Sequence, residues 1–297
     1  MKKTGFIAIV GRPNVGKSTL LNSILGEKVA IVSKRPQTTR NRITGIHTSG
    51  ENQYVFLDTP GLHKPRTKLG DYMVKAAGNA IGEADAAVLV VEPREAVGDI
   101  EAELITRFRE REMGAILAVN KIDAVTPANV AKTIAAYAEA FPFDAVIPMS
   151  AKSGKQTDVL LQECERYLTE SDWFFPDDIV TDQPERQIAA EIIREKILRL
   201  LSEEIPHGTA VVIEAFEETS RMIKIRGEIF CEKNSHKGIL LGKQGSMLKT
   251  IGTYAREDLE RFFGVKVFLD LWVKVKENWR DSASLIANFG YDKKDFE

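Results

Sequence analysis

Five short runs in the first half of the chain, FIAIV (6–10), YVFLD (54–58), AAVLVVE (86–92), AILAVN (115–120) and AVIPMS (145–150), are apolar at consecutive positions rather than alternate ones. A strand of that kind must be covered on both faces, which is the condition of a parallel sheet between two helical layers. Amphipathic segments such as 99–113 and 127–141 lie between the runs and supply the helices. The alternation predicts a doubly wound, mainly parallel α/β domain over residues 1–170, with ligands at the carboxyl ends of its strands. No run approaches the ~20 apolar residues of a membrane-spanning helix. The opening MKKTGFIAIVGRPN is not read as a signal peptide, because its apolar core stops at Gly11.

Beyond about residue 168 the pattern changes. ESDWFFPDDIVTDQPERQ (170–187) is acidic, holds two prolines and has no sustained period, so 171–187 reads as a linker. Apolar residues at 188, 192, 193, 197, 200 and 201 then mark one face of a helix. Two strand-like runs follow, TAVVIEAFEE and RMIKIRGEIFCEK, then a short helix, a glycine loop, a longer helix near 246–263 and the strand VKVFLDLWVKVKE. The order α-β-β-α-α-β predicts a separate α+β domain over 188–280, with 281–297 left as a C-terminal helix or tail. Net charge is −2, but residues 221–280 hold 13 Lys and Arg against 7 Asp and Glu. A basic module on an acidic partner points to nucleic acid. The two cysteines, Cys164 and Cys231, and the four histidines are scattered without metal spacing, and the thiols are expected reduced.

GRPNVGKST (11–19) fits the phosphate-loop pattern between a strand and a helix. Gly11, Arg12, Pro13, Asn14, Val15 and Gly16 would form the loop around the phosphates, its glycines letting backbone N–H groups wrap them. Lys17 would neutralise the β/γ oxygens, and Ser18, followed by Thr19, would take a place on Mg²⁺. Three further elements arrive in order. DTPG (Asp58, Thr59, Pro60, Gly61) ends a strand, where Asp58 would reach the metal and the Gly61 N–H would sense the γ-phosphate. NKID follows the next: the Asp123 carboxylate suits the two donors of guanine, Asn120 would offer its amide to the base, and Lys121 would lie across the ring. SAK (Ser150, Ala151, Lys152) closes the set, with the Ala151 N–H free for the guanine O6. The polar stretch KRPQTTRNRITG (34–45) would cross the nucleotide face as a loop ordered by GTP, with Thr39 rather than Thr38 completing the metal shell. The set implies a GTP- and GDP-binding hydrolase.

A second glycine loop, GKQG (242–245), lacks both the leading glycine and the Ser or Thr of a nucleotide loop. Placed between two helices of an α-β-β-α-α-β unit, it resembles instead a KH domain of the prokaryotic, type II order. Such a loop clamps about four nucleotides of a single strand. Gly242 and Gly245 would permit close approach, with Lys243, Gln244, Lys237 and Lys249 near the backbone. Ile239, Leu240 and Leu248 would form the floor under the bases.

The four nucleotide elements, with GRPNVGKSTLLN, PQTTR and DTPGLH, resemble the TRAFAC GTPases and within them the Era family, and the KH order extends the resemblance over nearly the whole chain. The small signalling GTPases carry a water-orienting Gln where this chain has Leu62, a substitution that Era relatives share. His63 beside it is read as an exposed loop residue. The resemblance implies a K⁺ ion at Asn14, adding to Lys17, Thr39 and Gly61 in hydrolysis. It further implies binding of the 3′ end of 16S ribosomal RNA, a role in small (30S) subunit assembly, a monomer and a cytoplasmic place of work. The alternative it carries is a regulatory GTPase peripheral to the inner face of the cell membrane, coupling growth or the cell cycle to ribosome status. An RNA-modifying enzyme is disfavoured, since nothing after residue 170 offers a nucleophile, second cofactor loop or metal set.

Overall fold

The computed structural model describes residues 1–202 and 204–291. The chain forms two compact units, one of Met1–Ala30, Thr39–Pro65 and Tyr72–Asp182, the other of Ile31–Thr38, Arg66–Asp71 and the residues from Gln183. In the first, β1 (Lys3–Val10), α1 (Lys17–Leu25), β2 (Ile43–Ser49), β3 (Asn52–Asp58), α2 (Lys68–Glu83), β4 (Ala86–Val91), α3 (Asp99–Glu110), β5 (Gly114–Val119), α4 (Pro127–Ala140), β6 (Ala145–Pro148), α5 (Thr157–Cys164) and the short β7 (Thr169–Glu170) follow in order. The sheet runs β2-β3-β1-β4-β5-β6. It is parallel except for β2, which pairs antiparallel with β3, and β7, which pairs antiparallel with the start of β1.

The alternation of β1 shows why its run had to be apolar throughout. Ile7 and Ile9 join a core with Leu20, Leu21 and Leu160, while Ala8 and Val10 join a second core with Leu89, Leu104 and Phe108. Each strand therefore feeds two layers, and all six residues of β4 are buried.

Two expectations need correction here. β2 starts inside the stretch read as a polar loop, so Ile43, Thr44 and Gly45 are strand rather than switch. The acidic linker is a strap along the edge of the first unit. Gln53 and Phe175 exchange hydrogen bonds at 2.8 and 3.1 Å, the Ile46 N–H donates to Val180 O at 2.8 Å, and the Thr181 hydroxyl to Thr44 O at 2.7 Å. Unit membership changes at Asp182, and the next helix begins at Glu185 rather than 188. The exposed edge of β2 would otherwise present unpaired backbone groups.

The second unit contains α6 (Glu185–Leu200), β8 (Ala210–Thr219), β9 (Met222–Cys231), α7 (Asn234–Leu241), α8 (Ser246–Phe263), β10 (Lys266–Val275) and α9 (Ala283–Asn288), the predicted α-β-β-α-α-β order with a final short helix. Of the tail, only the part up to Tyr291 lies within the described residues. Its sheet is β10-β9-β8, parallel between β9 and β10 and antiparallel between β8 and β9. Ile188, Ile192, Ile193 and Ile197 of α6 meet Ile251, Ala255 and Leu259 of α8 over Ile223, Ile225 and Ile229.

α6 also buries charge. Lys196 donates to Glu195 at 3.0 Å and to Asp258, and Glu195 accepts from Arg199 at 2.8 Å and from the Val32 N–H at 3.0 Å. Buried charges are tolerable only when paired, and removing one partner costs several kcal/mol. Lys196→Met should therefore lower stability by on the order of 3 kcal/mol, read as a fall in the urea midpoint of the full-length protein with the far-UV spectrum unchanged in buffer.

Candidate nucleotide site and nucleic-acid groove

The phosphate loop joins β1 to α1. Gly16 stands at φ 106° immediately before Lys17, and a Cβ there would lie 2.2 Å from Asn120 Nδ2, so no other residue fits. The first N–H groups of α1 consequently face the phosphate position unpaired, with the helix dipole behind them. Lys17 Nζ donates to Gly11 O at 3.1 Å and to Arg12 O at 2.9 Å. Asn14 adopts φ 65°, and its carbonyl accepts from Lys121 Nζ at 2.7 Å. Val15 is buried in the core, and Thr19 is half-buried on the first turn of α1.

At the end of β3, Asp58 accepts from the Ser18 hydroxyl at 2.6 Å, and Ser18 Oγ lies 2.8 Å from Thr39 Oγ1. Thr38 is engaged elsewhere, its hydroxyl donating to Arg35 O and lying 2.7 Å from Ser33 Oγ. The second carboxylate oxygen of Asp58 is buried with no hydrogen-bond partner. An orphaned carboxylate oxygen beside two hydroxyls is a hard, all-oxygen donor set, and it fits Mg²⁺. Thr59 donates to Ile9 O at 2.9 Å, fixing the turn; Pro60 is buried, and Gly61 is buried close against Pro13.

Burial drives the electrostatics. Desolvation pushes Asp58 up to about 6 against the opposing pull of Lys17 and the Ser18 hydroxyl. It brings Lys17 down to about 8 against the field of Asp58. Both groups are thus drawn toward neutrality, and a bound anion with its cation would favour both charged forms.

At the base end the structure changes two roles. Asn120 does not offer its amide outward: Nδ2 donates to Val15 O at 2.8 Å, and Oδ1 accepts the Ala151 N–H at 2.8 Å. The Ala151 N–H is accordingly not free for a base oxygen. Asn120 acts as a tie between the phosphate loop and the SAK turn. Lys121, in a left-handed conformation at φ 62°, holds Glu92 as well as the Asn14 carbonyl. Asp123 alone of the motif stands exposed, its carboxyl held below the usual range first by the nearby Ser150 hydroxyl and then by backbone bonding and Lys152. Lys152 is exposed beside it.

Other groups were not marked by any motif. Glu101 of α3 is fully buried and holds the Arg12 guanidinium; the one available hint was an acidic residue in the first turn of a helical segment. Leu62 is buried with Ala8, Val10 and Leu89, which removes it from the nucleotide face. His63 Nδ1 lies 3.0 Å from Gly61 O.

In the second unit GKQG links α7 to α8. Gly242 has φ 70°, and a Cβ there would meet the Met247 backbone at 2.8 Å; Gln244 and Gly245 are also left-handed. A groove of about 460 Å³ runs from Gly245 between Leu248, Lys249 and Arg256 of α8 and Phe268 and Leu271 of β10. The expected floor is therefore corrected. Leu248 lines the groove, but Leu240 is buried in the core and supports it from beneath, Ile239 is exposed on α7, and β10 supplies the apolar wall. Lys243 and Lys249 are exposed, Lys237 is half-buried, and among the described residues none of the three enters a salt bridge.

A parallel-sheet phosphate-loop unit with four guanine-nucleotide elements, joined to a KH unit, defines a P-loop GTPase with an appended KH domain. The family model described as "50S ribosome-binding GTPase" matches residues 6–121, and that of the KH domain matches 204–280. GTPase Era of Clostridium botulinum (strain Okra / Type B1) is 50% identical over 294 residues, covering 99% of both chains. GTPase Era of Clostridium kluyveri is 49% identical over 292 residues, covering 98% of this chain and all of that one. Among solved structures, a variant of Aquifex aeolicus Era bound to GDP·AlF4⁻ is 40% identical with a TM-score of 0.93, covering 97% of this chain and 99% of that one. Era in complex with MgGDPNP and nucleotides 1506–1542 of 16S ribosomal RNA is likewise 40% identical with a TM-score of 0.93, covering 98% and 99%. The chain belongs to the Era family of GTPases. Its reaction is the hydrolysis of GTP to GDP and phosphate.

The Asp58 environment gives a pH signature. An unfolded carboxyl titrates near 4, so between about pH 4 and 6 the nucleotide-free folded chain holds more protons than the unfolded one. Its stability must fall as pH rises through that window. Asp58→Asn should flatten this slope by on the order of 2 kcal/mol, measured as urea stability of nucleotide-free protein at about pH 4.5 and 6.5.

Proposed function

We propose that this chain is a GTP-hydrolysing switch that binds the single-stranded 3′ end of 16S ribosomal RNA through its KH groove and acts in assembly of the small (30S) ribosomal subunit, working in the cytoplasm as a monomer. The observation that carries the reading is the groove at GKQG, with two glycines in left-handed backbone and lysines not committed to ion pairs, in the same chain as a guanine-nucleotide site. The likeness to an Era structure that holds nucleotides 1506–1542 of 16S ribosomal RNA supports the choice of RNA.

The chemistry follows from the site. Lys17 and the N–H groups of α1 neutralise the β and γ oxygens, where charge develops as the γ-phosphoryl leaves. Ser18, Thr39 and Asp58 would hold Mg²⁺, which when bound would supply further neutralisation of phosphate charge. Thr39 and the Gly61 N–H distinguish GTP from GDP, because each gains a partner only when the γ-phosphate is present. Asp123 selects guanine through its two ring donors. Leu62 lies in the core and cannot orient water, so transition-state help must come from elsewhere, and a K⁺ ion at Asn14 fits that role.

Turnover should be faster in K⁺ than in Na⁺ buffer by about tenfold, and Asn14→Ala should abolish the difference; equal rates in the two buffers would remove the ion from the scheme. For the RNA reading, a labelled single-stranded oligonucleotide from the 16S 3′ end should bind in the presence of a GTP analogue. Gly242→Asp should weaken that binding by at least about tenfold while leaving guanine-nucleotide affinity intact. A wild-type protein that ignores the oligonucleotide would overturn the RNA assignment.

A further inference from the structure

The outer face of the sheet in the second unit carries two large aromatic side chains in the open. Phe268 and Trp272 of β10 are 58% and 59% exposed. Strand alternation sets 268, 270, 272 and 274 on this face, opposite the buried Val267 and Val273. The parallel register places Phe268 beside Lys224, Asp270 beside Arg226 and Trp272 beside Glu228. One exposed aromatic is ordinary. Here two stand on one strand face, four residues and so about 13 Å apart, and the indole N–H is tied to Asp270 at 3.1 Å.

The location of the pair is the second observation. β10 is an edge of its sheet, and Phe268 also lines the groove beside GKQG. The aromatic face begins where the groove ends. A protein partner would want a continuous apolar patch, but charged side chains interrupt this one at every step. Arg226 lies 3.7 Å from Asp270, Lys274 pairs with Glu228, and Lys224 is exposed with no salt bridge among the described residues. Separate aromatic faces with cations between them are how single-stranded nucleic acid is held without regard to sequence.

We propose that Phe268 and Trp272 form a second, base-stacking track for the same RNA strand. Nucleotides leaving the GKQG groove cross the rim at Phe268 and stack next on Trp272, with Lys224 and Arg226 beside the backbone. This inference rests on the RNA reading of the groove.

The test uses full-length protein with a GTP analogue and two labelled single-stranded RNAs from the 16S 3′ end, one of about four nucleotides, enough for the groove, and one of about nine. Trp272→Ala should leave affinity for the short RNA within about twofold and weaken the long one by about 5- to 100-fold, with Trp272→Phe recovering most of the loss. In a Trp173→Phe background, the long RNA but not the short one should quench indole fluorescence. Unchanged affinity for the long RNA in Trp272→Ala, with Gly242→Asp still abolishing both, would overturn the track and leave the groove reading standing. Failure of the wild type to bind either RNA would overturn both readings. A shift in oligomeric state on Trp272→Ala, with RNA binding intact, would make the face a protein contact and overturn the proposal.

Discussion

A buried pair of opposite charges governs the first unit. Lys17 and Asp58 are almost wholly removed from water, and neither has the shell of partners that would make such burial comfortable. Lys17 makes do with two loop carbonyls, and one carboxylate oxygen of Asp58 has no hydrogen-bond partner. The sheet makes this arrangement possible, because β1 and β3 are neighbours in register and end at the same level, Ile9 lying opposite Asp58. Strands apolar on both faces give the rigidity, and the polar turns at their ends then have nowhere to relax. The result is a site whose own charges are incompletely satisfied until phosphate and a cation arrive.

The two glycine-lysine loops apply one piece of physics to different ends. Each precedes a helix through a left-handed glycine, Gly16 before α1 and Gly245 before α8. What separates them is the lysine. Lys17 is buried and bound to backbone, in keeping with a ligand that is enclosed, whereas Lys243 stands in solvent, in keeping with a polymer that must pass across the loop. Lys17 gives up hydration and leaves a strong, local charge, whereas Lys243 keeps its hydration and its charge is screened.

Much of this was legible in the sequence, for identifiable reasons. The parallel strands showed themselves because burial on both faces leaves an uninterrupted apolar run, and the second unit because its helices and strands alternate in an unusual order. β2 was missed since ITGIHTS is polar in part and gains its partner only by antiparallel pairing with β3. The strap at 171–182 reads as free linker because most of its hydrogen bonds use a backbone group on one side, which leaves no mark on composition. α6 hid the burial of Arg194, Glu195 and Lys196, since charged residues on a helix normally signal solvent. The motifs stand in the sequence by residue type, but the hydrogen bond between Asn120 Oδ1 and the Ala151 N–H is visible only in the fold.

That commitment has a consequence for how the protein discriminates among nucleotides. Asn120 welds the phosphate loop to the SAK turn, whereas Asp123 stands exposed at the rim. On the proposed reading of the site, strength of grip and choice of base would be carried by different residues of one four-residue motif. If so, the preferred base could be retuned at Asp123 without loosening the triphosphate, whereas a change at Asn120 would break the tie between the phosphate loop and the SAK turn.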